Sequence, residues 1–468
     1  MADKVEQHTQ FEDGKGSVEE TSSGRSNSLT PDTRPRLERF YRSTLFQIII
    51  VGLCSFSAPG LWVALNGMGV AGSARPELIN GANAILYGFM TVTCFLGPWI
   101  TNAIGFKFTL ALGSVGYPLY AAGLYVNNRY DVEWFVYFGA VACGISAGFF
   151  WSVEGAVACG YPEQHKRGRY IATWFTFRNA GNMVGGAINL ALNYKANRIG
   201  SVGYETYLAF IALQCLGLFF GLLLSNPEKV VRDDGSRIEA PRGIDWKTEA
   251  REMWRLATSR PILLLTPFFW YYGWIQAYPG TFLATYFTVR SRALASLLSA
   301  IVGSFSTWLA GSLVDLPWTR NRRTRALVTF GVLVALNSST WIWSVIIQNE
   351  YRFTNPRLDW SHSGFGRGFG VYMFERIATT FVENYIYWCI SNLSDSPGDQ
   401  IRYSSLLRGI ETAAVALSFG VQAIPTPLII TAALNFGQWF LVLPITLYAT
   451  LHVIKVFTRN AKQAEAEA

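Results

Sequence analysis

Seven ionisable side chains, Glu154, Arg178, Glu375, Arg376, Glu383, Arg408 and Glu411, each stand inside a long run of apolar residues. A charge near the centre of a bilayer costs a few kcal/mol, so such groups are functional candidates by default. Two chemistries suit carboxylates and guanidiniums at that depth. They either satisfy one another as buried pairs across helical hairpins, or form a protonatable, gating network whose pairs exchange as the protein changes shape. Glu154 sits five residues before the end of the fourth apolar run, and Arg178 eight residues into the fifth, about 12 Å deep at ~1.5 Å per residue. The two are expected to meet across that hairpin. Glu383 and Arg408 are placed likewise at the tenth and eleventh runs. Glu411 lies three residues from Arg408, on the same helical face, and is the acid in excess, which gives it the strongest claim to a coupling role. Glu375 and Arg376 are expected near the outer end of the tenth run, reaching the interface or each other.

The elements that must hold these charges follow from composition. Of 468 residues, 50% are hydrophobic and 15% charged, against about 25% charged in soluble domains. The apolar runs are Leu45–Leu65, Ile79–Ile100, Phe108–Val126, Trp134–Cys159, Tyr170–Leu192 and Tyr207–Leu224. After a polar gap come Ile262–Phe287, Leu294–Val314, Ala326–Ile347, Gly370–Ile390, Leu406–Ile424 and Leu428–Ile454. Roughly 20 residues of helix cross a ~30 Å hydrocarbon core. Lipid forces backbone groups to pair within each span, so helices are expected, and the short alternating segments of a β-barrel are absent. The fold class is therefore an all-α integral membrane bundle of twelve transmembrane helices in two pseudo-symmetric six-helix halves.

The basic residues orient it. Of 39 Lys and Arg, 27 fall on the side that carries both chain ends, 9 on the opposite side and 3 inside spans. Positive charge collects on cytoplasmic loops, so both termini are expected in the cytoplasm of a multi-pass protein, and the net charge of +8 is an orientation signal rather than a nucleic-acid footprint. Residues 1–40 form a polar tail expected to be disordered, without the apolar core of a cleavable signal. Residues 41–225 form the first half, 226–260 a cytoplasmic linker, 261–455 the second half and 456–468 a tail. Within the linker, Trp246, Ala250, Met253, Trp254 and Ala257 fall along one side of an amphipathic helix suited to the membrane surface.

The halves echo one another. GRYIATWF opens the fifth run and IRYSSLL the eleventh; Glu154 precedes Arg178 by 24 residues and Glu383 precedes Arg408 by 25. The turn after the eighth run, GSLVDLPWTRNRR, sets Gly311 and Asp315 before Arg320, Arg322 and Arg323. The turn after the second, PWITNAIGFK, is a weaker copy with Asn102 in place of the acid. With its two halves and this Gly, Asp and basic motif, the chain resembles the major facilitator superfamily. The blocks SVEGAVACGYPEQHKRGRYIATWFTFRNAGNMVGGAIN and SNPEKVVRDDG resemble its Unc-ninety-three-like branch, over about residues 40 to 455. That resemblance implies a polytopic membrane protein with a transporter fold and a gating role for the motif. The branch includes animal potassium-channel regulatory subunits, so it also implies an alternative: a non-transporting regulatory subunit with an ion-channel partner.

The expected function is gradient-driven secondary transport of a small solute or ion by alternating access. Asn179, Asn182 and Trp274 are candidates for lining the cavity, although asparagines also serve as interhelical glue. Pro59-Gly60 and Pro279-Gly280 interrupt the first and seventh runs at related places, a pointer to a transporter site. Small-residue pairs at Gly144/Gly148, Gly181/Gly185 and Gly217/Gly221 predict close helix packing. The six cysteines lie in apolar stretches without CxxC spacing, and the four histidines are scattered, so no metal, cofactor or catalytic constellation is expected and the chain does not read as an enzyme.

Overall fold

The apolar runs fold as helices because each carries its backbone hydrogen bonds within itself, the one solution open to a lipid-facing segment besides a closed barrel. The computed structural model describes residues 35–162, 167–232, 238, 246–315, 321–393 and 397–467; the tail expected over residues 1–40 lies mostly outside them. The helices that matter to the site are α1 (Thr44–Asn66), α2 (Pro76–Ile104), α3 (Phe106–Tyr130), α4 (Trp134–Gly160), α5 (Arg167–Asn193) and α6 (Tyr204–Leu222). They continue as α7 (Trp246–Ala257), α8 (Arg260–Trp274), α9 (Tyr278–Tyr286), α10 (Val289–Asp315), α11 (Arg322–Thr354), α12 (Phe365–Ser391), α13 (Pro397–Ala423) and α14 (Leu428–Glu467). Among the described residues, seven helices are both long enough and apolar enough to cross a membrane.

Two breaks have chemical causes. Pro59 has no N–H and its ring clashes with the preceding turn, and α1 responds with a π-turn over Phe56–Gly60. Pro279 does the same for the seventh run, which splits into α8 and α9 around residues 275–277. Both breaks fall where the prolines predict them.

The apolar core forms two clusters, one drawn mainly from Ile48 to Ile238 and the other from Leu256 to Val453. Between them α2 packs on α13 and α5 on α10. The outward faces carry large apolar side chains such as Trp99, Phe219, Phe305 and Leu441, as a lipid-facing surface requires. The small-residue pairs are tight, as predicted: a Cβ on Gly144 would stand 2.2 Å from the Leu86 carbonyl, and one on Gly181 2.4 Å from that of Phe56.

The surface helix α7 turns differently from its predicted face. Leu256 is buried and Met253 and Ala257 pack beside it, while Ala250 is exposed and Trp254 is 72% exposed. Packing on α8 and α13 rotates the helix so that Leu256 points inward and Trp254 outward.

Candidate functional site

The central cluster is built from both sides of the boundary between the clusters. The π-turn in α1 lets it close on α5: a Cβ on Gly60 would lie 2.8 Å from the carbonyl oxygen of Arg178. With α5 held at that height, the Arg178 guanidinium rests on the ring of Trp151 from α4, its Cζ 4.7 Å from the ring centroid. Arg408 of α13 reaches the same ring from the other side of the boundary, at 4.8 Å. Both cations draw on the quadrupole of one indole, and the N–H groups of Arg178 have no acceptor among the described residues.

The acids are not paired as expected. Glu154 is buried, and its Oε1 accepts from Ser55 Oγ at 2.5 Å and from Trp174 Nε1, while Oε2 has no partner among the described residues. No ion pair joins it to Arg178 among the described residues. The reason is depth: Trp174 stands one helical turn before Arg178 and meets Glu154 first, which leaves Arg178 on Trp151. Arg408 likewise pairs with Glu411, at 2.9 Å, instead of Glu383. A partner three residues along the same helix needs no interhelical reach. Glu383 is half-buried and interacts electrostatically with Arg408 and Glu411 without forming the expected pair.

The break in the seventh run supplies one more contact. Gly273 lets α8 approach α13 so closely that a Cβ there would sit 2.4 Å from the Glu411 carbonyl. Gln276, in the unwound segment, then donates to Glu411 Oε1 at 3.4 Å. Thr91 and Thr412 bond across the same boundary at 2.9 Å, and Tyr87 stacks on Phe419.

The remaining predicted residues divide. Asn179 and Asn182 are half-buried on α5 near Arg178, and Trp274, also half-buried, stacks on Trp270. Two further asparagines, Asn80 and Asn189, act as interhelical glue, bonding to Thr281 and Ser296 at 3.0 Å each. Gly311 lies near the end of α10 with open space around its Cα, and Arg323 is exposed at the start of α11. Arg320 and the side chains of Asp315 and Arg322 lie outside the described residues. Glu375, expected near the interface, is instead 3% exposed ten residues into α12, while Arg376 turns toward Gly303 of α10. Helix α12 begins five residues before the apolar run does, which carries Glu375 deeper.

On the face opposite the chain ends, sequence reasoning missed two heavily bonded charges, Arg292 and Asp359. Arg292 is 0% exposed and donates to the carbonyls of Met68 (2.7 Å), Gly69 (2.8 Å), Gly200 (2.9 Å) and Ser73 (3.0 Å). The loop after α1 bends to form this cage: Gly69, Val70, Ala71 and Gly72 have φ of 73, 39, 49 and 76°. Left-handed backbone at a β-branched valine costs of order 1–3 kcal/mol and persists only where its surroundings demand it. Its signal in the sequence is faint, an arginine two residues outside an apolar run beside the glycines of GMGVAGS. Nearby, Arg290 forms a two-pronged bond to Asp359, which is 0% exposed and also accepts from Thr288 Oγ1 at 2.7 Å and Ser361 Oγ at 2.6 Å. The Arg290 guanidinium and these hydroxyls hold the Asp359 carboxyl well below the usual carboxylate range. A cavity of about 310 Å³ opens on this face, bordered by Glu77, Thr285, Tyr286, Gln348, Arg352 and Thr426.

Comparison with known proteins places this geometry in a family. A family model described as "Ion channel regulatory protein UNC-93" matches residues 81–346. The Notoamide biosynthesis cluster protein O' of Aspergillus versicolor is 39% identical over 409 residues, covering 87% of each chain. An UNC93-like protein of Schizosaccharomyces pombe is 31% identical over 414 residues, 84% of this chain and 80% of that one. Among solved structures, a POT family transporter in complex with a thioalcohol-conjugated peptide superposes with a TM-score of 0.63 at 11% identity, over 87% of this chain and 96% of that one. A D-xylose-proton symporter gives 0.56 at 14% identity, over 88% and 97%. These likenesses show the major facilitator fold, and the chain belongs to the UNC-93 family.

Proposed function

We propose that this protein is a gradient-driven secondary transporter of a small solute or ion, and that the solute carries a negative group. On this proposal α1–α6 and α8–α14, with α8 and α9 together as one broken span, make twelve spans in two six-helix halves, residues 41–225 and 261–455, joined by the linker 226–260, with both termini cytoplasmic. One observation carries it: Arg178 and Arg408 lie on the single ring of Trp151, one from each half, and Arg178 is partly exposed with no acceptor among the described residues. A guanidinium in that position binds an anion where alternating access would expose it to one side and then the other. Glu154, Glu383 and Glu411 are then the acids that trade partners during the cycle, Asn179, Asn182 and Trp274 line the path, and Gly311 to Arg323 gates the cytoplasmic side. The solved proteins of like fold include a D-xylose-proton symporter, which supports a gradient as the energy source.

The test is uptake of radiolabelled mono- and dicarboxylates, with a neutral sugar as control, into proteoliposomes under imposed proton gradients. Wild type should accumulate a carboxylate that Arg178→Gln and Glu411→Gln do not. No accumulation under any gradient would sink the proposal. A second reading, a non-transporting regulatory subunit of an ion channel, is favoured by the description of the matching family. Purification in mild detergent separates the two: a stoichiometric channel partner supports regulation, and a lone monodisperse monomer counts against it.

A further inference from the structure

Glu375 belongs to neither the central cluster nor the far-face cage. Its carboxyl is enclosed by α8, α9, α11 and α12, about 15 Å along α12 from its start at ~1.5 Å per residue. Ser344 Oγ donates to Oε1 at 3.2 Å; among the described residues Oε2 has no partner, and neither has the buried Thr340 Oγ1. A cavity of about 10 Å³, enough for one water-sized body, lies between Glu375, Asn337, Thr340, Thr379, Ile275 and Pro279. Pro279 has no N–H, so the carbonyl of Ile275 receives no helical bond from it, and the polar wall continues through the break in the seventh run.

The groups facing Glu375 are Tyr271 from α8, Tyr278 from α9 and Tyr372 from its own helix. From α11 it meets Asn337, Thr340 and Ser344, none of them charged. Arg376 turns to α10, and Arg408 and Glu411 of α13 lie beside Glu383, two turns further along α12. No basic side chain pairs with Glu375 among the described residues. A buried carboxylate without a cation is strongly disfavoured against its neutral form.

A polar file leads from this carboxyl in one direction. Ser344 Oγ lies 3.2 Å from Tyr278 OH, which donates to Gln348 Oε1 at 3.2 Å. Gln348 Nε2 donates to Tyr286 OH at 2.7 Å, and Gln348 and Tyr286 border the 310 Å³ far-face cavity. We infer that Glu375 is a proton-binding site inside the second half, occupied at neutral pH and in exchange with the far-face compartment along this file. The net step is a simple protonation: the Glu375 carboxyl gains one proton, a hydronium at the far face becomes water, and no other bond is changed. It holds whether the chain transports or regulates, so its failure and the failure of transport are separate results.

Infrared spectroscopy of the full-length protein in proteoliposomes tests this. Wild type minus Glu375→Gln should show a protonated-carboxyl C=O band at neutral pH, unchanged when Na⁺ is replaced by choline. Ser344→Ala should shift that band upward without removing it, which keeps the test open if Glu375→Gln folds poorly. On exposure of the far face to D₂O, Gln348→Leu should slow exchange of the band at least about tenfold. Absence of the band, or a band that appears only when Na⁺ is withdrawn, overturns proton binding in favour of an ionised or Na⁺-holding site. Equal exchange rates in wild type and Gln348→Leu overturn the path.

Discussion

The Nε of Arg292, carried by α10, donates at 2.7 Å to the carbonyl of Met68, in the loop after α1, and so ties the second half of the chain to the first. Three further carbonyls complete the guanidinium's shell, two of them from the same left-handed loop. The contact is therefore a seal whose acceptors are all backbone. The strain in that loop and the charge in its cage hold each other in place.

Arg292→Gln should open this face. It removes a buried charge that four carbonyls were bent to receive, at a cost of about 3 kcal/mol. Arg292→Lys should recover part of that, because an ammonium keeps the charge but not the planar fork. A cysteine placed at Ser73 and labelled with a membrane-impermeant maleimide reads the result: labelling should be fastest in Arg292→Gln, intermediate in Arg292→Lys and slow in wild type. Equal rates would mean that the cage does not close the far face.

The two arginines on Trp151 should respond differently to neutralisation. Arg178→Gln loses a cation–π contact worth about 1 kcal/mol and little else, so thermal stability should barely move while carboxylate binding falls. Arg408→Gln strands Glu411, which is 6% exposed, and should cost about 3 kcal/mol. Adding Glu411→Gln to it should restore most of that loss. Calorimetric unfolding in detergent checks both, and an Arg408→Gln protein as stable as wild type would show that the pair bears no load.

The helices were legible because lipid penalises every exception: an apolar run of sufficient length has to be a helix, and an acid within it has to be near a donor. Which donor was not legible. Glu154 and Arg178 have the right separation along the chain, yet Trp174, one turn nearer the membrane surface, captures Glu154, and only the rotation of α5 about its axis decides that. Arg292 was hidden for a related reason. Its partners are carbonyls, which every residue has, so no side-chain pattern announces them. Glu375 was misplaced because α12 starts at Phe365, five residues ahead of the apolar run.

Acid should loosen the far face through Asp359. Its folded-state carboxyl is held below its unfolded value, so the stabilisation is complete above the ordinary carboxylate range and disappears as the pH falls through that range toward the folded value. Unfolding temperature measured from neutral pH downward should therefore drop more steeply in wild type than in Asp359→Asn. The variant should already be less stable at neutral pH by about 2 kcal/mol, the scale of a hydrogen bond to a charged group. Parallel curves would place the acid sensitivity elsewhere.

Two glycines separate packing from gating. At Gly273 an added Cβ would meet the Glu411 carbonyl at 2.4 Å, a backbone atom that cannot swing aside. Gly273→Ala should push α8 from α13, draw Gln276 away from Glu411 and cost about 1–3 kcal/mol. Gly311, by contrast, has no atom of the described residues within 4 Å of its added Cβ and lies in a helix, where alanine is favoured by about 1 kcal/mol. Gly311→Ala should therefore unfold at the same or a higher temperature than wild type. If the motif from Gly311 to Arg323 works as a cytoplasmic gate, another helix must close over that open space during the cycle, and only then does the methyl obstruct. The expected result is a stable protein with reduced carboxylate uptake. A Gly311→Ala protein with full uptake would leave this turn as nothing more than a loop between two helices.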